Sequence, residues 1–113
     1  MFRPKTVFGI KNPKNAIRIT KLLKGLRKGK LVEVTQEDLD RIKSILETTD
    51  KERYPDMSIS YIEVGDKMYL LGIGGNTAQQ AWGVVKKHHD LMRSHTPQEI
   101  IIRRPIAFFP SFR

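Results

Sequence analysis

The 113-residue chain has the length of one domain, and 39% hydrophobic with 29% charged residues is typical of a globular protein. It contains no cysteine, which excludes a disulfide framework and thiolate metal ligation and favours a reducing, cytoplasmic location. No stretch approaches the roughly 20 apolar residues of a membrane span, and the first residues lack the apolar run of a secretory signal.

The net charge of +9 is unevenly distributed. Residues 1–30 contain ten Lys and Arg and no acid, whereas residues 31–57 have a net charge of −4 and residues 58–113 a net charge of +3. A mitochondrial transit peptide is an alternative interpretation, but lysines outnumber arginines seven to three there and the first serine is Ser44. The concentrated positive charge predicts a polyanionic partner.

The first helix is the clearest element of the N-terminal half. A short apolar run at residues 6–10 predicts a strand before it. Asn12 as N-cap and Pro13 at the first helical position begin a helix that runs to about Lys28, where Gly29 closes it. At about 100° per residue, one side is apolar and the opposite side is cationic. The apolar positions are Ile19, Leu22, Leu23 and Leu26, and the cationic positions are Lys14, Arg18, Lys21, Lys24 and Lys28.

A second strand and helix follow, and then a hairpin. Residues 31–34 predict the strand, and Thr35 with Asp38 predicts a capping box for a helix that ends near Thr48. After a charged loop at residues 50–57, the segments 58–64 and 67–73 predict a β-hairpin. Its two-residue turn, Gly65-Asp66, fits type II′.

The remaining chain predicts one long helix, a strand and a tail. Thr77 with Gln80 predicts a capping box for a helix to about Ser94. Residues 100–102 predict a buried strand, although residues 96–99 also fit a helical turn, and an aromatic tail occupies residues 106–113. The predicted inner face of the helix consists of Ala78, Ala81, Trp82, Val85 and Met92.

The element order β-α-β-α-β-β-α-β predicts an α/β protein of the α+β two-layer type, with a small mixed sheet of about five strands and three helices. Residues 1–105 form the expected single domain, followed by the tail at 106–113. The order of the first six elements is similar to that of Alba-type chromatin proteins and several small RNA-binding domains, a likeness of layout rather than of a residue motif.

The basic N-terminal segment is the strongest functional signal. A phosphate backbone is bound by many cations on one surface, since affinity arises from neutralising phosphates and releasing counterions. A solvated helix face balanced by the acidic second helix is one alternative. A membrane-surface helix is another, but the apolar side lacks Trp and Phe. The predicted nucleic-acid-binding residues are Arg3, Lys5, Lys11, Lys14, Arg18, Lys21, Lys24, Arg27, Lys28, Lys30, Arg103 and Arg104.

Three other groups are candidates for chemistry. The backbone at Gly74, Gly75, Asn76 and Thr77 joins a strand to a helix and is a candidate anion site, although the sequence favours a tight turn with a cap over a bound anion. The spacing matches neither a dinucleotide fingerprint nor a P-loop. The second group is the histidines, His88, His89 and His95, which do not have metal-site spacing.

The third group is the aromatic tail, which contains Phe108, Phe109 and Phe112. It is a candidate for core packing, a dimer contact, a partner groove or base stacking.

These observations favour a non-enzymatic, sequence-tolerant nucleic-acid-binding protein with no cofactor, no metal and no catalytic residue. The alternative is a small basic protein that inhibits or modulates an acidic partner, such as a nuclease or polymerase subunit. An enzyme acting on an anionic substrate at the glycine turn is a third hypothesis. A homodimer is compatible with the aromatic tail. Small basic chains of this kind suit viral, plasmid and ribosome-associated proteins, and the residues do not choose among them.

Overall fold

The computed structural model describes residues 9–49 and 56–102 of the chain. These residues have a mixed α/β fold, as predicted. The predicted strand at 6–10 lies almost entirely outside them, and so do residues 103–113 with the aromatic tail. The helices are α1 (Pro13–Arg27), α2 (Gln36–Glu47), α3 (Thr77–Gln80), α4 (Trp82–Lys87) and α5 (His89–Ser94), and the strands are β1 (Val32–Val34), β2 (Ser58–Val64), β3 (Lys67–Gly74) and β4 (Gln98–Ile101).

The described strands form one four-stranded sheet in the order β1-β3-β2-β4, in which every neighbouring pair is antiparallel. The prediction of a mixed sheet is therefore wrong for the described strands, which are four of the five predicted ones, since the fifth is the strand at 6–10. The reason is that the β2–β3 hairpin forms the centre of the sheet. β3 separates β1 from β2, two strands that run in the same direction, so their parallel pairing does not occur.

The hairpin has the predicted turn and one irregularity. Gly65 has a φ of +65° and Asp66 a negative φ, which is the sign pattern of a type II′ turn. Farther along, Ser60 pairs with Gly72 and Tyr61 with Leu70, so Leu71 is the extra residue of a β-bulge. Because of the bulge, both Leu70 and Leu71 are buried in the core.

Both ends of α1 match the sequence signals. The Asn12 side-chain oxygen accepts hydrogen bonds from the backbone N–H groups of Lys14 and Asn15, at 2.9 and 3.4 Å. At the other end, Gly29 adopts a φ of +79° and its N–H donates to the Leu26 carbonyl at 2.9 Å. The Lys30 N–H donates to the Gly25 carbonyl at 3.0 Å, which completes a Schellman motif.

The start of α2 is also the predicted one. The Asp38 N–H donates to the Thr35 hydroxyl at 3.1 Å, and the Thr35 N–H donates to the Asp38 carboxylate at 2.9 Å, so both bonds of the capping box form. The apolar side of the helix is buried in the core, at Leu39, Ile42, Ile45 and Leu46.

The predicted helix from Thr77 to Ser94 is wrong in its continuity, since three short helices take its place. The helices are interrupted at Ala81, whose φ of −71° and ψ of −12° remain in the right-handed helical region, and at His88, whose φ of −125° and ψ of 49° do not. The N-cap is Asn76, in the left-handed region and without a side-chain cap bond, so the predicted Thr77–Gln80 capping box does not form. The Gln80 side chain is bonded to the backbone of β3 instead.

The inner face of this helical run also differs from the prediction. Ala81 is buried and Val85 and Met92 are half-buried, as expected, but Ala78 is exposed and Trp82 is 60% exposed. Val84 takes the fully buried position. The buried positions are Thr77, Ala81 and Val84, and this inner face leaves Trp82 on the exposed side.

β4 begins at Gln98, so the alternative of a helical turn at 96–99 is wrong. It pairs only with β2 among the described strands, and the pairing extends to a hydrogen bond from the Ile102 N–H to the Met57 carbonyl at 2.9 Å. Ile102 is buried, but Ile101 is 56% exposed. The predicted fully buried strand is therefore an edge strand with one apolar side chain facing outward.

Candidate nucleic-acid interface

The outer side of α1 is mainly cationic, with one exposed apolar residue, Ile17 (55% exposed), among the charges. Lys14, Arg18, Lys21, Lys24 and Lys28 are all exposed, and we call them the basic face. Ile19 and Leu26, on the opposite side, are buried in the core and hold the helix in this orientation. From Lys14 to Lys28 the face is about 21 Å long, at 1.5 Å per residue. Lys11, Arg27 and Lys30 are exposed and flank it in sequence.

In the described ranges, the cations of the basic face form no ion pairs with neighbouring acids. Within residues 9–49 and 56–102, none of their side-chain nitrogens lies within 4.0 Å of a carboxylate oxygen. Two of the four acids of α2 have other partners, since Asp38 caps its own helix and Asp40 accepts a hydrogen bond from the Gln36 amide at 3.1 Å. In the described part of the chain, the pairing with the acidic second helix that would remove the surface does not form.

A close contact joins the end of α1 to α4. A Cβ built on Gly83 would lie 3.0 Å from the Leu26 carbonyl oxygen and 3.1 Å from that of Arg27. A Cβ on Gly29 would lie 2.8 Å from the Gly83 carbonyl oxygen. The His88 Nε2 donates to the Gly29 carbonyl at 3.0 Å. The two backbones approach closely here because neither glycine has a side chain, and the histidine ties them together.

This contact adds two cations that the sequence analysis did not assign to the surface. Lys86 and Lys87 are exposed on α4, and the aliphatic stem of Lys87 packs over Gly29 at the end of α1. In the sequence, the adjacent lysines Lys86 and Lys87 were the available signal for this extension of the surface. They lie nearly 60 residues from α1 in the sequence, and only the fold brings them to the end of that helix.

The exposed Trp82 lies on the same short helix. Its side chain is 60% exposed, and the Lys86 ammonium lies 5.9 Å from the centroid of its ring. A cation at that distance over an indole ring forms a cation–π contact. An aromatic ring and a group of cations thus occupy adjoining positions next to the C-terminal turn of α1.

Four predicted cations and the aromatic tail are outside the described residues. They are Arg3, Lys5, Arg103 and Arg104, and Phe108, Phe109 and Phe112. Their assignment to the nucleic-acid surface, and to a partner or stacking contact, stays a prediction.

The predicted anion site at Gly74, Gly75, Asn76 and Thr77 has a geometry that the turn itself explains. The Gln80 side chain bonds to the backbone of Ile73 and Gly75. The Glu99 carboxylate accepts a hydrogen bond from Ser58 at 2.9 Å and lies 3.5 Å from the Thr77 hydroxyl. A carboxylate at this position opposes a bound anion. The anion site stays a prediction, and these contacts give it no support.

A groove of about 320 Å³ lies between α1, β1 and α2. Arg18 and Arg41 line it together with Glu33 and Asp38. The two carboxylates offset the two guanidinium groups, so the groove does not extend the cationic surface onto α2.

The histidines are bonded mainly to the main chain. His88 bonds to Gly29, the His95 Nδ1 donates to the Leu91 carbonyl at 2.9 Å, and His89 is exposed. His95 is half-buried. The part of the chain that the structure describes holds no group of three or more His, Cys, Asp or Glu side chains suited to a metal ion.

None of the helices in the described ranges has the length and apolar character that crossing a membrane requires. Comparison with protein-family models, with curated proteins and with solved structures gave no match to this chain.

Proposed function

We propose that this protein binds nucleic acid through the basic face of α1, without catalysis and with little dependence on base sequence. The observation that carries the proposal is the exposed, unpaired row of Lys14, Arg18, Lys21, Lys24 and Lys28. Such a row can neutralise successive phosphates and release their counterions, which is the main source of sequence-independent affinity.

The flanking cations extend the same argument. Lys11, Arg27 and Lys30 adjoin the face, and Lys86 and Lys87 add two charges at its C-terminal end. Lysine is the commoner cation in this set, and its flexible ammonium contacts phosphates as a point charge rather than in a fixed fork. This composition supports backbone contacts and predicts weak base discrimination.

The first test measures the salt dependence of binding. Fluorescence anisotropy of a labelled oligonucleotide is recorded over a range of salt concentrations for the wild type and for the double variant K14Q/K21Q. The slope of log K against log salt is negative, and each lost phosphate contact reduces its magnitude by about 0.7 on a single strand and about 0.9 on a duplex. We expect the double variant to reduce the magnitude by about 1.4 to 1.8. Lysine and glutamine have similar helix propensities, so α1 is expected to remain folded.

The matched control is K43Q/K67Q. Lys43 on α2 and Lys67 at the start of β3 are also exposed, so this variant loses the same net charge away from the basic face. We expect it to retain nearly the wild-type slope. Equal losses in both variants would show that net charge rather than the basic face controls binding. Absence of binding to any nucleic acid at low salt would overturn the proposal and favour an acidic protein partner.

A further inference from the structure

We infer that Trp82 stacks on an unpaired nucleobase, so that the nucleic acid bound by this surface is single-stranded. This inference rests on the proposed function and specifies its ligand. The juxtaposition that carries it is an exposed indole beside cations of both α1 and α4.

The side chain of Trp82 is largely open to solvent. Trp82 is the only tryptophan in the chain, and 60% of its surface is open. Burying a large apolar side chain stabilises a protein, and the fold forgoes most of that gain here. The adjacent Val84 is fully buried, so α4 has a core-facing side and Trp82 is not on it.

Trp82 is next to the residue of α4 that contacts α1. Trp82 and Lys86 are four residues apart and share one side of α4, whereas Gly83 and Lys87 share the neighbouring side. That neighbouring side contacts the last turn of α1, at the carbonyls of Leu26 and Arg27. Trp82 is therefore next in sequence to the residue that contacts the end of α1, where Lys24, Arg27, Lys28 and Lys30 are found.

The cations and the exposed ring together favour single-stranded over double-stranded nucleic acid as the ligand. In a duplex, each base is already stacked on both sides, and a side chain reaches its ring face only if the stack opens. In a single strand the ring faces are free, and stacking on an aromatic side chain tolerates any base. Cations beside the ring then bind the phosphates that flank the stacked base. Duplex binding through α1 alone would leave the indole unused.

The test uses Trp82 as its own probe. Emission of the single tryptophan is recorded while the full chain is titrated with an oligothymidine of about 20 nucleotides, and separately with a duplex of similar length. Stacking contributes a factor of about 5 to 150 in affinity per base. We expect the single strand to quench the emission and to bind more tightly than the duplex. We expect W82A to weaken single-strand binding at least fivefold, and W82F to recover part of the loss.

The matched control is I101A, which removes an apolar side chain of similar exposure (56%) from the edge strand β4. It should bind like the wild type. Unquenched emission together with unchanged affinity of W82A would overturn the inference, and binding to both ligands in that case would leave the proposed function intact. Absence of all binding would overturn both. If W82A does not fold, the quenching of the wild type decides the question alone.

Discussion

The side chain of Gln80 holds the turn between β3 and α3 by three hydrogen bonds to the main chain. Its oxygen accepts from the Ile73 N–H at 2.8 Å, and its amide donates to the carbonyls of Ile73 at 2.7 Å and Gly75 at 3.2 Å. These groups are partly buried, so removing the side chain leaves polar atoms short of partners. We expect Q80A to lower the free energy of unfolding by about 1–3 kcal/mol, measured by urea denaturation.

The control for this prediction is Q79A. Gln79 is exposed, and its side chain bonds only to the exposed side chain of Asn76. A substitution of this kind normally changes stability by less than about 0.5 kcal/mol. If Q80A and Q79A cost the same, Gln80 does not hold the turn.

Residue-scale signals were readable from sequence wherever the partner lies within a few residues. Asn12 caps α1, Gly29 closes it, and Thr35 with Asp38 forms a capping box, because each motif needs only its own turn of helix. Gln80 has the same spacing to Thr77 as a capping-box residue, but its partners are on the preceding strand. The local pattern does not contain that information.

At the scale of elements, the contact between α1 and α4 depends on Gly29. This residue has a φ of +79°, and a Cβ there would lie 2.8 Å from a backbone oxygen of α4. We expect G29A to cost about 1 kcal/mol for its left-handed backbone and about 1–3 kcal/mol more for the displaced helix. Chemical denaturation followed by circular dichroism measures the total.

G65A provides the comparison, because Gly65 has a φ of +65° but nothing within 4 Å of its Cβ position. It should show only the backbone cost. Similar losses of stability in G29A and G65A would mean that α4 shifts to accommodate the added methyl group at no cost in free energy. The contact between α1 and α4 would then be loose.

Sequence periodicity could not predict the course of α3 to α5, for a reason visible at this contact. The pattern from Thr77 onward suits one continuous helix whose inner face includes Trp82. The chain instead breaks at Ala81 and His88, and Gly83 faces the end of α1. A contact between residues more than 50 positions apart decides which side of α4 is outward, and so decides that Trp82 is exposed.

At the scale of the whole molecule, the net charge of +9 with an unpaired basic face implies self-repulsion in the folded state. Salt screens this repulsion, since the Debye length falls from about 30 Å at 0.01 M to about 10 Å at 0.1 M. We therefore expect the melting temperature of the free protein to rise by a few degrees between about 20 and 300 mM salt. The rise should be smaller in K14Q/K21Q. A melting temperature that falls with salt would show that attractive charge pairs dominate instead.

The class of fold and the location of the basic surface followed from sequence because charge segregation and helix amphipathicity are properties of contiguous residues. The antiparallel order of the sheet and the addition of Lys86 and Lys87 to the surface did not, because both require the β2–β3 hairpin and α4 to be placed in three dimensions.

The first turn of α1 shows how two demands oppose each other in this chain. It contains no acidic residue and places Lys14 near the positive end of the helix dipole, where a carboxylate would be favoured. Only Asn12 and Pro13 assist the start of the helix. An engineer seeking a more heat-resistant protein would introduce glutamate at this turn, and would thereby cancel part of the charge that the surface presents. Selection for stability alone would therefore remove positive charge from the N-terminal end of the basic face.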